Sequence, residues 1–288
     1  MVFVALSAFP YPGGKTSYWD DILQFFPKHR RYVEFFGGGA AVLLNKPESY
    51  IEIYNDRDSD VVQFFRTVRE RRDELKEWLR ATPFSRELHK TWSSEFFDGY
   101  RPDDPIKRAG RWFYLRYTQY GGKLNGPSGF KTSGKRNEAV SFRGGIGALD
   151  EVVSRLQEVT IENEDFESVI ERYDRENTLF YCDPPYVGPG NEIYDVDFDH
   201  DRLAKTLAEC DGYWIVSYDE IPPALEEIAI TVTSFGASYS LHYTVDEGRR
   251  EATEALAMNY DPKRVPSFSK PQQRTLRSVS PDTDRRTD

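Results

Sequence analysis

The sequence predicts an α/β protein: a sheet domain split by one basic, aromatic insertion. Three observations carry this. Residues 32–54 spell strand, glycine turn, short helix, strand, which is one βαβ unit. Residues 84–150 change texture and become aromatic, basic and, from Gly121 to Gly147, rich in Gly and Ser. Alternating helix and strand patterns resume near Leu149. The expected division is 1–61 plus 151–260 for the sheet domain, 62–150 for the insertion and 261–288 for a disordered tail.

In chain order, Tyr32–Phe36 and Ile51–Tyr54 are apolar or alternating over strand lengths. Between them Ala40–Leu44 is a short helix ended by Asn45-Lys46-Pro47. Val61, Val62, Phe64, Phe65, Val68, Leu75 and Leu79 with charges between predict one amphipathic helix, closed by Pro83. Ile106–Tyr120 can form a helix, whereas Gly121–Gly129 reads as a loop or hairpin tip. A helix near Leu149–Leu156, strand Val159–Ile161, helix Phe166–Tyr173 and strand 178–182 follow. Then come a helix near His200–Cys210, strand Tyr213–Tyr218, and last strands at Ser238–Tyr243 and Glu254–Asn259. Beyond Asp261 the chain is Pro, Ser, Arg and Asp with little to bury.

With 288 residues, 39% hydrophobic and 15% aromatic, the chain can bury a sizeable core. Two cysteines, Cys182 and Cys210, exclude a disulfide framework and fit a reduced, cytoplasmic setting. No run of about 18 apolar residues exists to span a membrane, and Met1–Leu6 lacks a basic leader. The net charge of −10 argues against a polyanionic partner. The distribution argues the other way: from Lys107 to Arg143 nine basic residues face one acid, Glu138, a local charge of +8. Phosphate contact needs such an island whatever the global sum. Elsewhere the acidic, Arg-over-Lys composition fits a surface kept soluble in a salt-rich cytoplasm.

The chemistry concentrates at Tyr181-Cys182-Asp183-Pro184-Pro185-Tyr186. A strand delivers a carboxylate into two prolines, which remove N–H donors and fix the local backbone. A carboxylate, a carbonyl and a ring face suit a planar, amine-bearing ring, such as an extruded adenine or cytosine. Asp-Pro-Pro is also ordinary turn chemistry. Glu34, Asp56, Asp165 and Asp183 all fall at predicted strand ends, where α/β sheets bind ligands. Gly37-Gly38-Gly39 lets the backbone approach a ligand. However, Val42 stands where a dinucleotide fingerprint needs its third glycine. An acidic rim and a ribose-holding Asp56 fit a cationic adenosine: S-adenosylmethionine. Tyr11-Pro12-Gly13-Gly14-Lys15 lacks P-loop spacing, so it reads either as a plain loop or as a grip on that cofactor. Asp165-Phe166 reads as an adenine edge-and-face contact, as the next helix's N-cap, or both. His29, His89, His200 and His242 have no metal-ligand spacing, and no metal is expected.

Taken together, Tyr11–Lys15, Tyr32–Asn45, Tyr54–Asp60, Glu162–Phe166 and Phe180–Tyr186 occur in the order of the Dam-like adenine-specific DNA methyltransferases. The resemblance continues through Trp214–Asp219 and Glu254–Tyr260. It implies a Rossmann-like, seven-stranded mixed sheet with a reversed last strand and an inserted, mainly helical target-recognition domain. It also implies transfer of a methyl group from S-adenosylmethionine to adenine N6 in double-stranded DNA. By position, Tyr11, Lys15, Glu34, Phe36, Gly38, Asp56, Asp165, Phe166 and Asp183 would hold the cofactor. Asp183, Pro184, Pro185 and Tyr186 would hold the flipped base. Arg116, Lys123, Asn125, Lys131, Lys135 and Arg136 fall in or beside the segment resembling the family's DNA-binding hairpin. Two departures are Phe35, where many members have proline, and Ala40, where they have a third glycine. Cytosine-N4 or RNA methylation, a silent DNA-binding module and a nicotinamide oxidoreductase are the alternatives. A monomer is expected; an accompanying restriction nuclease is not readable.

Overall fold

The computed structural model describes residues 5–122, 125–186, 198–237 and 252–268. Seven strands form one mixed sheet: β1 Arg31–Phe35, β2 Ile51–Asn55, β3 Val159–Glu162, β4 Thr178–Cys182, β5 Tyr213–Tyr218, β6 Thr231–Ala237 and β7 Ala252–Met258. Their order is β3-β2-β1-β4-β5-β7-β6. The first five are parallel, and β7 runs antiparallel to both β5 and β6. The expected mixed sheet with its reversed last strand is therefore present.

β4 is buried at every position, as a central parallel strand covered on both faces must be. Alternation assigns the two faces. Val33, Phe35, Ile53, Phe180, Cys182, Trp214 and Val216 face α8 (Phe166–Tyr173), α9 (His200–Ala208) and α10 (Pro223–Ile228). Tyr32, Tyr54, Leu179, Tyr181 and Ile215 face the other way. There they meet α1 (Trp19–Leu23), α2 (Ala41–Asn45) and the helices inserted between β2 and β3. These are α3 Ser59–Glu70, α4 Arg72–Ala81, α5 Arg86–Phe97, α6 Pro105–Thr118 and α7 Glu138–Leu156. One apolar cluster runs from the sheet into this layer, so the insertion shares the sheet's core.

Several expectations need correction. The single helix over Val61–Leu79 is two, broken at Arg71 (φ −134°, ψ 38°). Val68 and Leu75 are one heptad apart, so the apolar spacing carries no mark of the break. α7 begins at Glu138, well before Leu149, capped by the Asn137 side chain. Its glycines read as loop, but a Cβ on Gly145 would lie 1.9 Å from the Tyr117 hydroxyl, so close helix packing requires that glycine. α5, capped by Ser85, and α10 were not anticipated. The penultimate strand is β6, while the expected 238–243 lies outside the described residues. The tail boundary also moves. Phe268 donates its N–H to the Phe26 carbonyl (2.9 Å) and stacks on His29 at 4.3 Å. That ring gives residues 261–268 something to bury; 269–288 lie outside the described residues. Among the described residues no helix is long and apolar enough to cross a membrane.

Candidate active site

The strand order reverses between β1 and β4, and a crevice opens at such a switch point beyond the carboxyl ends. After β1 the chain turns through Phe36 (φ 60°), Gly38 (φ 46°) and Ala40 (φ 55°) before α2. Two rings clamp this turn. A Cβ on Gly37 would lie 2.3 Å from the Tyr54 ring, and one on Gly38 would lie 2.6 Å from the Tyr11 ring. The Tyr54 hydroxyl donates to the Gly38 carbonyl at 2.8 Å. Ala40 stands in the left-handed region, a strain of about 1–2 kcal/mol for an L-residue.

Two buried acids brace the same turn. Asp56 accepts from the Gly38 N–H (2.7 Å) and the Asp58 N–H (2.8 Å), and burial pushes its carboxyl up to about 6. Glu34 accepts from the Tyr32 hydroxyl (2.6 Å) and the Leu43 N–H (2.8 Å). Burial raises its carboxyl to about 7, although both hydrogen bonds favour the charged form. Both acids line a cavity of about 660 Å³. Tyr11, Lys15, Phe36, Gly38, Asp165, Phe166 and Asp183 line it too, so all nine expected cofactor residues meet there.

Asp165 caps α8 by accepting from the Glu167 N–H at 3.1 Å, and the Arg202 guanidinium donates to the same oxygen. Arg202 also lies over the Phe166 ring, 4.6 Å from its centroid. The N-cap and the rim position coexist. Arg202 and the lining residue Phe198 come from the far side of the motif and were not anticipated.

Asp183, just past β4, is tied down on all sides. Lys15 Nζ donates to its two oxygens at 2.7 and 2.9 Å, and Ser217 Oγ on β5 donates at 2.9 Å. Lys15 also donates to the Tyr186 hydroxyl (2.7 Å) and lies 3.3 Å from Glu254 on β7. Burial would lower the Lys15 pKa, but Asp183 and Glu254 outweigh it and hold the ammonium above its ordinary value. Tyr186 donates to Glu254 at 2.6 Å and packs its ring against Tyr218, centroids 5.6 Å apart. Pro184 is buried and Pro185 lines the cavity. Lys15, expected on the cofactor side, thus bridges that side to the Asp-Pro-Pro-Tyr corner. Ser217 and Glu254 were missed, though each is a polar residue inside an apolar strand, which was a readable signal.

The basic segment is dispersed. Arg116 is buried, with Nη2 on Gln119 (3.1 Å), and it cannot act as a surface contact. Lys131 pairs with Glu138 at 3.1 Å. Lys135, Arg136 and Asn125 are exposed, and Lys123 lies outside the described residues. Among the described residues no group of three or more His, Cys, Asp or Glu is gathered to hold a metal.

The family model described as D12 class N6 adenine-specific DNA methyltransferase matches residues 11–240. The chain is 30% identical, over 185 residues, to a DNA adenine methylase of Salmonella typhimurium, covering 61% of this chain and 63% of that one. It is 27% identical over 208 residues to a DNA N-6-adenine-methyltransferase of Escherichia phage P1 (62% and 24%). It is 22% identical over 183 residues to the Type II methyltransferase M.CviBI of Paramecium bursaria Chlorella virus NC1A (61% and 67%). The match therefore spans a quarter to two thirds of these relatives. On the family match and the geometry together, the chain belongs to the D12 class N6 adenine-specific DNA methyltransferase family.

Proposed function

We propose that the chain transfers a methyl group from S-adenosylmethionine to the N6 amine of an adenine drawn out of duplex DNA, as a cytoplasmic monomer. The observation that carries this is the placement of Asp183: it follows β4 directly, lines the acidic cavity and bonds the same lysine as the stacking tyrosine. The residues fit the cofactor. Buried Glu34 and Asp56 favour a cationic guest, and the Gly37–Gly38 turn leaves no room for side chains between the rings and the cavity. Glu34, Asp56, Asp165 and Phe166 would hold it; when bound it supplies an electrophilic methyl on a sulfonium.

The chain's own work is positioning. Adenine N6 is a poor nucleophile because its lone pair is delocalised into the ring. Asp183 and the Pro184 carbonyl accept hydrogen bonds from the two N6–H groups, which draws the lone pair out toward the methyl; the one proton that methylated N6 sheds passes to water, with Asp183 the nearest acceptor. A carboxylate has about four lone-pair sites, so Asp183 can serve Lys15, Ser217 and an amine together. Tyr186 stacks on the base, worth about 1–3 kcal/mol. Well-oriented reactants gain roughly 7–11 kcal/mol. Lys135 and Arg136, both exposed, are the cations offered to DNA phosphates.

Purified chain, labelled cofactor and duplex DNA, followed by mass spectrometry of the nucleosides, tests the reading. N6-methyladenine is expected, and Asp183→Ala should cut transfer about 10²- to 10³-fold while thermal unfolding stays cooperative. A product of N4-methylcytosine, or cofactor binding without transfer to DNA, would sink it.

A further inference from the structure

We propose that Glu254 on the reversed strand is a positioning residue for the base pocket, fixing the Tyr186 ring and sharing Lys15 with Asp183. This rests on the methyl-transfer reading above and extends it to a strand outside the Asp-Pro-Pro-Tyr motif.

The topology makes the contact possible. β7 is antiparallel, so its first residues lie at the edge where the parallel strands end. Ala255 pairs with Tyr218, the last residue of β5, and Glu254 stands one residue earlier. Leu256 and Met258 belong to the cluster on the Tyr181 face, and period-2 alternation puts Glu254 on the same side. A glutamate there is fully buried, at 0% exposure. Such a carboxylate persists only with strong partners. Lys15 Nζ at 3.3 Å and the Tyr186 hydroxyl at 2.6 Å are two of them.

Both partners are groups that the reaction uses. Tyr186 supplies the stacking face, and its hydroxyl is its only polar handle. Held between Glu254 and Lys15, the ring has one orientation. Lys15 donates to both Asp183 oxygens, the acceptors that an N6 amine needs. With Glu254 drawing on the same ammonium, Lys15 is shared between two carboxylates, and Asp183 keeps acceptor capacity for an amine. Without the Glu254 charge, Lys15 turns entirely to Asp183, and the ring loses an anchor. The acids that would hold the cofactor, Glu34, Asp56 and Asp165, make no bond to Glu254 among the described contacts. Lys15 and Asp183 line the cofactor cavity as well, so the expected loss of turnover is much larger than any loss of cofactor affinity.

Glu254→Gln keeps the shape and one acceptor but removes the charge. Under saturating DNA, kcat should fall about 10- to 100-fold, while the cofactor KM stays within about twofold of wild type. Tyr186→Phe keeps the ring and deletes the hydroxyl; it should shift kcat in the same direction, again with KM held. In the Tyr186→Phe background the further effect of Glu254→Gln should be smaller than in wild type, because the hydroxyl link is already cut and only the Lys15 link remains. A wild-type kcat for Glu254→Gln, a change confined to KM, or a double variant equal to the product of the singles would overturn the inference. Should Glu254→Gln fail to fold by thermal unfolding, Tyr186→Phe alone decides, and wild-type turnover there overturns it. Wild-type chain assayed alongside separates the two readings: if it makes no methyladenine, the methyl-transfer reading itself fails.

Discussion

At the strand ends, charged side chains converge beside the cavity; in the insertion, several of them tie the fold together instead. Asp183, Lys15 and Glu254 come from three distant stretches of sequence and share one ammonium. In the insertion, Arg101 and Arg108 hold Asp60, and Arg111 holds Glu95. Arg143 donates to the carbonyls of Leu79, Arg80 and Thr82 at the end of α4. Arg116 lies buried over the Trp112 ring, 5.3 Å from its centroid. A run of positive charge in a sequence thus contains both fold-holding and solvent-facing groups. Only the folded contacts separate them. Of the +8 island, Lys107, Lys135 and Arg136 are exposed with no acidic partner among the described contacts, whereas exposed Arg143 is held by backbone carbonyls.

Lys135→Ala with Arg136→Ala should lower the salt slope of DNA binding by about 2, hence affinity about 30-fold near 0.15 M salt, measured by fluorescence anisotropy. Arg116→Ala should instead lower the melting temperature and leave the slope unchanged. If Arg116→Ala moves the slope and the exposed pair does not, the division between the two kinds of cation is wrong.

A smaller effect sharpens the strand-end half. Glu34 titrates near 7 and Asp56 near 6 in the folded chain, both above their ordinary ranges because they are buried. A cationic guest needs them ionised. Affinity for S-adenosylmethionine should therefore rise about tenfold between about pH 5.5 and about pH 7.5, and much less for its neutral thioether product. The sign for stability is opposite. A raised carboxyl pKa stabilises the ligand-free fold at low pH, and that contribution is lost as pH rises through 6 and 7. Calorimetric titration of both ligands at several pH values checks this; equal pH dependence for the two would contradict it.

The smallest expected change is at the glycine turn. Left-handed alanine costs about 1–2 kcal/mol, whereas glycine loosens the unfolded chain by about 0.4–1 kcal/mol. Ala40→Gly should therefore stabilise by between about 0 and about 1.6 kcal/mol in urea unfolding, with cofactor affinity unchanged.

Legibility followed the same divide. β5 at Tyr213–Tyr218 and α8 at Phe166–Tyr173 have the bounds that their periodicity predicts. Strand-end acids were legible because strands place residues by register, one after another. α7 was hidden because its glycines mark close packing on Tyr117 rather than a loop. The α3–α4 break was hidden because the apolar spacing runs through it. Ser217 and Glu254 show locally only as polar residues inside apolar strands; their meeting with Asp183 needed the sheet order, which sets the end of β5 and the start of the reversed β7 beside it.

By itself the sequence determined the α/β class, the strand that ends in Asp-Pro-Pro-Tyr and the acids at the strand ends, because strand periodicity and proline chemistry are local. Only the tertiary structure decided which charges meet. Lys15, Asp183 and Glu254 are brought within 3.3 Å by strand order and by the reversal of β7. Burial likewise decided which arginines remain for a partner, since exposure is a property of the assembled layers and not of any one segment.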